Sequence, residues 1–214
     1  MEESLILKGL RRILVERLKE KGITDVNVLN AIAKTPRHLF IQKGFEEQAY
    51  EDKPFSIAGG QTISQPFTVA IQTELLQIQK FDKILEIGTG SGYQAVILAE
   101  MGATVYTVER LKELYLGARK IFSLLGYRIN SYWGDGYEGK AINAPFKKIL
   151  ITAAIAQIPQ KLLDQLAVGG RLVAPVGEGN IQIMTVIDKI SENEYKTYQC
   201  NETFKFVPML KGII

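Results

Sequence analysis

The sequence predicts an α/β protein built on a doubly wound, mainly parallel sheet, with an N-terminal helical cap and a C-terminal antiparallel hairpin. Three observations carry this. After residue 82 short apolar runs alternate with helical stretches, the first run ends in a glycine-rich turn, and the tail holds two strand-like runs in succession. Strands separated by helices imply right-handed crossovers and therefore parallel pairing.

Leu7, Leu10, Leu14 and Leu18 recur at three- and four-residue steps, giving a first helix that Gly22 stops. Val28, Leu29 and Ile32 mark a shorter second helix ended by Thr35-Pro36. Residues 50–65, rich in Pro, Gly, Asp and Ser, read as a loop, and Pro66 suits the first turn of a third helix through Leu76. Strands are expected at 83–87, 104–108, 148–152 and 170–175, with a weaker one at 128–133. Helices are expected at 91–101, 111–125 and 157–167. The runs 181–190 and 195–207, joined through Ser191-Glu192-Asn193-Glu194, make the hairpin. With 214 residues, enough for one sizeable core, the chain reads as a single domain: residues 1–80 the cap and its loop, residues 81–214 the sheet.

Composition narrows the function classes. Hydrophobic residues are 46% and charged residues 23%, as in soluble globular proteins. The 26 Lys+Arg against 23 Asp+Glu give only +3, and basic residues such as Arg11-Arg12, Lys19, Lys21 and Lys147-Lys148 are interleaved with acids, so no nucleic-acid footprint stands out. One cysteine, Cys200, excludes an intrachain disulfide. One histidine, His38, leaves too few soft ligands for zinc and reads as a structural residue, so no metal is expected. No apolar run approaches the ~20 residues of a membrane span, and the start M-E-E-S-L is acidic where a signal peptide is basic. The expectation is a cytoplasmic protein with no nucleic-acid or membrane partner; the oligomeric state is not legible.

In open parallel sheets the ligand crevice lies at the carboxyl ends of the strands. The residues there, after the first strand, are Ile87-Gly88-Thr89-Gly90-Ser91-Gly92-Tyr93. Three alternate glycines let the backbone turn sharply and approach a ligand, and a helix starting near Ser91 presents its free N–H groups to an anion. The spacing is G-x-G-x-G, whereas the dinucleotide fingerprint is G-x-G-x-x-G. Glu86, two residues before the first glycine, would repel a pyrophosphate but suits a ligand bearing an ammonium and a sulfonium. S-adenosylmethionine carries both.

Two further acids sit where that ligand needs them. Glu109 ends the second strand and suits the ribose hydroxyls. Asp135 follows the third strand, where its carboxylate suits the adenine amino group while Gly136 leaves room for the ring. Each acid alone is as readily a helix cap or turn residue.

The segment Gly60-Gln61-Thr62-Ile63-Ser64-Gln65-Pro66 resembles the hallmark of the protein-L-isoaspartate O-methyltransferases. The resemblance extends in order through Pro36-Arg37-His38-Leu39-Phe40, Ala49-Tyr50-Glu51-Asp52, the run from Leu85 to Ala95, Gly134-Asp135-Gly136, the run from Gly169 to Gly177, and Phe206-Val207-Pro208. It implies a class I methyltransferase fold of the Rossmann-like type, and S-adenosylmethionine held by Glu86, Gly88, Thr89, Gly90, Ser91, Gly92, Glu109, Arg110, Asp135 and Gly136. The implied substrate is the free α-carboxylate of isoaspartyl residues in damaged proteins and peptides. The resemblance makes Ser64 the catalytic residue, with Thr62, Ile63, Ser64 and Val207 lining the substrate slot.

The chemistry agrees with what the sequence lacks. A carboxylate with a pKa near 3.5–4 is already ionised at neutral pH, so its methylation needs no general base. Catalysis then rests on holding the oxygen in line at ~3–3.5 Å and excluding water. Ser64 would orient the carboxylate through a hydrogen bond; its bland alternative is an N-cap for the helix at Pro66.

Two departures from the family pattern stand out. Lys147-Lys148 replace the aspartate that generally follows Pro145-Phe146, an expected surface change. Ile155 replaces a small residue and is expected to make the rim of the site bulkier. A same-fold enzyme acting on a small molecule or RNA, and a non-catalytic cofactor-binding module, stay open as alternatives; a nicotinamide oxidoreductase fits the glycine spacing least.

Overall fold

A computed structural model describes residues 4–214; the acidic start at Met1–Glu3 lies outside the described residues. Helix α1 (Leu5–Glu20) is capped by Ser4, whose Oγ accepts from the Leu7 amide at 3.2 Å, and buries Leu14, Val15 and Leu18. Helix α2 (Val26–Lys34) starts at Asp25, which accepts from the Asn27 and Val28 amides, and ends at Thr35. The expected loop at 50–65 is irregular apart from a small antiparallel ribbon, β1 (Phe55–Ser56) with β2 (Thr62–Ile63). Helix α3 (Pro66–Leu76) follows, with Pro66 in its first turn.

The sheet comprises β3 (Lys83–Ile87), β4 (Thr104–Glu109), β5 (Asn130–Trp133), β6 (Phe146–Ile151), β7 (Leu166–Val176), β8 (Gln182–Ser191) and β9 (Glu194–Phe204), in the spatial order β5-β4-β3-β6-β7-β8-β9. The first five strands pair in parallel, and β8 and β9 are antiparallel additions. From β3 the chain moves outward to β4 and β5, then returns to place β6 on the other side. The carboxyl ends of β3, β4 and β6 therefore meet at the topological switch.

Helices α4 (Tyr93–Glu100), α5 (Lys112–Leu125) and α6 (Gln160–Asp164) make the crossovers. One buried layer packs α1 to α5 against Ile84, Val105, Leu150 and Val173. The other packs Leu162 of α6 against Leu85, Ile149, Ile151 and Leu172. The winding is double but unequal, since the second face carries a single five-residue helix.

That short helix corrects the expected 157–167. Gln165 ends it: its Nε2 donates to the carbonyls of Lys161 and Glu138, and its Oε1 accepts from the Lys140 amide. Leu166 already belongs to β7. Among the described residues no helix is long and apolar enough to cross a membrane.

The departures at Lys147-Lys148 fall at the start of β6, away from the carboxyl ends. Lys147 is exposed and donates to the Gly169 carbonyl at 2.8 Å, while burial lowers the pKa of Lys148. Ile155 is not a rim residue. It is buried in the second layer, with its amide on the Pro175 carbonyl and its carbonyl on the Gly177 amide.

Candidate active site

The loop between β3 and α4 turns through glycines whose backbone other residues do not readily adopt. Gly88 has φ +95° and Gly92, which caps α4, has φ +88°. A Cβ on Gly88 would stand 2.6 Å from Thr152 Oγ1, and one on Gly92 would stand 2.6 Å from the Phe122 ring. The loop is thus pressed between the end of β6 and helix α5.

A cavity opens over this loop. Its walls take in Thr89, Gly90, Ser91, Tyr93 and Gln94, then Glu109, Arg110 and Leu111 from the end of β4, and Gly136 after β5. Gln61 to Ser64, Thr152, Ala153 and Val207 to Leu210 close the remaining side.

Glu109 lies where the sequence reading put it. The carboxylate is buried, with Oε2 accepting from the Gly90 amide at 2.8 Å and Oε1 from the Leu111 amide at 2.9 Å. Each carboxylate oxygen has a second lone-pair direction, so this acid can still accept from two hydroxyls of a ligand.

Glu86 does not line the cavity. It faces its register partner Thr107 on β4, whose hydroxyl donates to Oε2 at 2.5 Å and contacts the Thr89 hydroxyl at 2.6 Å. The other oxygen, Oε1, is buried without a partner. Desolvation lifts this carboxyl to about 8; Thr107 opposes the shift and the charge of Glu109 adds to it. Burial therefore favours the neutral form of Glu86 at pH 7, one layer beneath the loop, rather than a surface anion facing an ammonium. Its side chain points into the packed layer because β3 is central and covered on both faces.

Asp135 is a turn cap. Its Oδ1 accepts from the Tyr137 amide at 2.9 Å and its Oδ2 from the Gly212 amide at 2.7 Å, and it does not line the cavity, whereas Gly136 does. The space beside Gly136 is filled by Ile87 and Met209, and those side chains are what require a glycine. The tail after β9 lies across this end. Arg110 donates to the carbonyls of Lys211 and Gly212, and residues 110–112 exchange backbone bonds with Ile214.

A second cavity adjoins the first and shares Thr62, Ser64, Thr152 and Val207 with it. Its other walls are Pro54, Gln65, Phe67, Thr68 and the end of β9 from Glu202 to Phe206. Ser64 is therefore in the partition between the two. It is not the N-cap of α3: that position is Gln65, without a side-chain cap. The cap is supplied from a distance by Asp52, whose Oδ1 accepts from the Phe67 amide at 2.8 Å. Among the described residues nothing hydrogen-bonds the Ser64 hydroxyl, while its carbonyl accepts from the buried Arg37 at 2.8 Å. His38 contacts the Tyr50 hydroxyl at 2.7 Å and takes no part in either cavity wall.

Sequence reading missed Thr152, Tyr93, Gln94 and the pair Met209-Leu210 as walls. Thr152 directly follows β6, so the rule that ligands sit at strand ends would have found it. The others have no motif of their own. On the wall the buried Gln94 Oε1 has no partner, while the Tyr93 hydroxyl faces Arg37. A buried polar atom without a partner suits a polar ligand in the cavity. Among the described residues no group of three or more His, Cys, Asp or Glu is placed to hold a metal.

The family model described as protein-L-isoaspartate(D-aspartate) O-methyltransferase (PCMT) matches residues 10–213. A protein-L-isoaspartate O-methyltransferase of Flavobacterium psychrophilum is 51% identical over 205 residues, covering 95% of each chain. A solved protein-L-isoaspartate O-methyltransferase superposes with a TM-score of 0.84 at 25% identity, over 92% of this chain and 65% of that longer one. A Plasmodium falciparum structure described under the same activity, in complex with S-adenosyl-L-homocysteine, gives a TM-score of 0.82 at 26% identity, over 94% and 99%.

Proposed function

Since the chain belongs to the protein-L-isoaspartate(D-aspartate) O-methyltransferase family, we infer that it transfers a methyl group from S-adenosylmethionine to the free α-carboxylate of L-isoaspartyl residues in damaged proteins and peptides, initiating their repair. The observation that carries this reading is the position of Ser64, with a free hydroxyl in the wall shared by the cavity over the glycine loop and the cavity beside β9.

When bound, S-adenosylmethionine supplies an electrophilic methyl group. The residues fit it. Glu109 has acceptor capacity for the ribose hydroxyls, and the partnerless Gln94 Oε1 suits the ammonium. The loop from Gly88 to Gly92 with Thr89 and Ser91 receives the amino-acid end, and Arg110 and Gly136 border the adenine end. Glu86 supports the loop through Thr107 and Thr89, and Asp135 supports Gly136 and the tail.

On the substrate side, Ser64 donates a hydrogen bond that orients one carboxylate oxygen, while Thr62, Ile63 and Val207 flank the isoaspartyl residue. No residue has to remove a proton, because the acceptor is already an anion. Partly buried walls exclude water from an anion that becomes a neutral ester, which favours the reaction. We read residues 1–80 as cap and substrate loop and residues 81–214 as cofactor-binding sheet of one domain, working in the cytoplasm without nucleic-acid or membrane partners.

The test is incubation with labelled S-adenosylmethionine and paired peptides differing only in Asp versus isoAsp. Label is expected in the isoaspartyl peptide alone. Equal labelling of both peptides, or of neither, would overturn the assignment.

A further inference from the structure

The segment Pro36-Arg37-His38-Leu39-Phe40 supplies no wall group to the cavity over the glycine loop, yet it contains the largest fully buried side chain among the described residues. Arg37 is 0% exposed. Its Nε donates to the Ala49 carbonyl at 2.9 Å and its Nη2 to the Ser64 carbonyl at 2.8 Å. The guanidinium lies 4.8 Å from the centroid of the Tyr93 ring. Tyr93 is the first residue of α4, directly after Gly92, and lines the cofactor cavity. One side chain therefore touches the residue that faces the substrate and the helix that begins at the cofactor loop.

We propose that Arg37 is a positioning residue for methyl transfer, fixing the Ser64 hydroxyl relative to α4 and the cofactor loop. Ser64 sits between two anchors: its own carbonyl on Arg37, and the Phe67 amide on Asp52. Before it a two-residue ribbon, with Ile63 buried and Thr62 exposed, holds the chain on one side, and the Arg37 bond holds the Ser64 carbonyl itself. Filling the same space would not require a cation, because an apolar side chain avoids the desolvation of a buried charge.

The charge itself is not what the reaction uses. Two carbonyl oxygens and Tyr93 meet it, Nη1 is left without an acceptor, and Asp52 is the acid whose field reaches it. A cation bared to the substrate would stabilise the reacting anion and slow its neutralisation. What matters is the planar fork, which a lysine cannot reproduce with its single rotating ammonium.

The inference rests on Ser64 being the orienting residue, and the experiment separates the two. Single-turnover methylation of an isoaspartyl peptide is measured for the parent, R37K, S64A and the R37K/S64A double variant, with calorimetric affinity for S-adenosylhomocysteine and a thermal melt of each. F40L serves as a stability control, since Phe40 is buried and packs edge-on against the Tyr93 ring at 5.3 Å but offers no hydrogen bond to Ser64.

R37K is expected to lose about ten- to a hundredfold in rate with affinity for S-adenosylhomocysteine nearly unchanged. The double variant should be no slower than S64A, because Arg37 acts through Ser64. F40L should keep the parental rate below its melt. An R37K rate equal to the parent, losses that simply multiply in the double variant, or an F40L loss matching R37K would each overturn the proposal. So would failure of R37K to fold, which would assign Arg37 to the core alone. An inactive parent, or an S64A variant as fast as the parent, would instead sink the reading of the site beneath it.

Discussion

The Glu109 carboxylate accepts the Gly90 amide at 2.8 Å, so the residue that ends one strand fixes the shape of the loop that follows its neighbour. A ligand that takes the remaining lone pairs of Glu109 meets an acceptor already aimed by the backbone. Replacement with Ala removes a charge-assisted acceptor and the loop's anchor together. Affinity for S-adenosylhomocysteine is expected to fall about ten- to a hundredfold by calorimetry, the equivalent of roughly 1.5–3 kcal/mol. An unchanged affinity would leave Glu109 as a loop brace only.

Asp135 should behave differently. Both of its oxygens hold backbone amides, and it stands outside the cavity wall. Asp135→Ala is expected to lower stability by about 1 kcal/mol, as for a lost cap, with a smaller loss of cofactor affinity than Glu109→Ala. Melts and calorimetry on both variants decide the order; a larger affinity loss at Asp135 would restore it as a direct adenine contact.

Ser64 and Asp52 divide two roles that the sequence had offered to Ser64 alone. Ser64→Ala should slow single-turnover methylation about ten- to a hundredfold while the melt stays near the parent's. Asp52→Ala should cost about 1 kcal/mol of stability through the Phe67 amide. If Ser64→Ala melts as early as Asp52→Ala, the capping assignment is wrong.

Glu86 gives a pH prediction. Its folded-state pKa of about 8 lies above the ordinary 4.5, so between these values the folded protein binds a proton that the unfolded chain has released. Unfolding free energy then falls as pH rises through that window, and the loss is complete above about 8. Glu86→Gln cannot ionise and is expected to flatten this slope, melting above the parent at pH 8. Thermal melts from pH 5 to 9 check it; parallel curves for the two proteins would mean that Glu86 is ionised in the fold.

How much of this was legible follows from what each signal encodes. Pro66 and Leu76 bound α3 where the sequence put them, because a proline start and an apolar span are local properties. The 157–167 helix failed because Leu162 and Leu166 keep a helical spacing across a boundary made by the distant Glu138 and Lys140. The place of Glu109 at the end of β4 is legible, since strand ends are visible in apolar runs. Glu86 and Asp135 stand off the cavity wall for different reasons: a strand covered on both faces carries no alternation to show which way Glu86 points, and Asp135 sits in the turn after β5, tied to Gly212 across 77 residues of chain. Arg37 lies in a segment that carries the family resemblance, yet its hold on Ser64 spans 27 residues of chain and has no sequence signature.

The two cavities meet at Thr62, Ser64, Thr152 and Val207, so a target residue must bring its carboxylate to that shared wall. A side chain fixed in a helix or in a sheet interior cannot be presented there without its backbone leaving the parent fold. The proteins served first are therefore those whose damaged segment frays, and the opening equilibrium of each client sets its place in the queue.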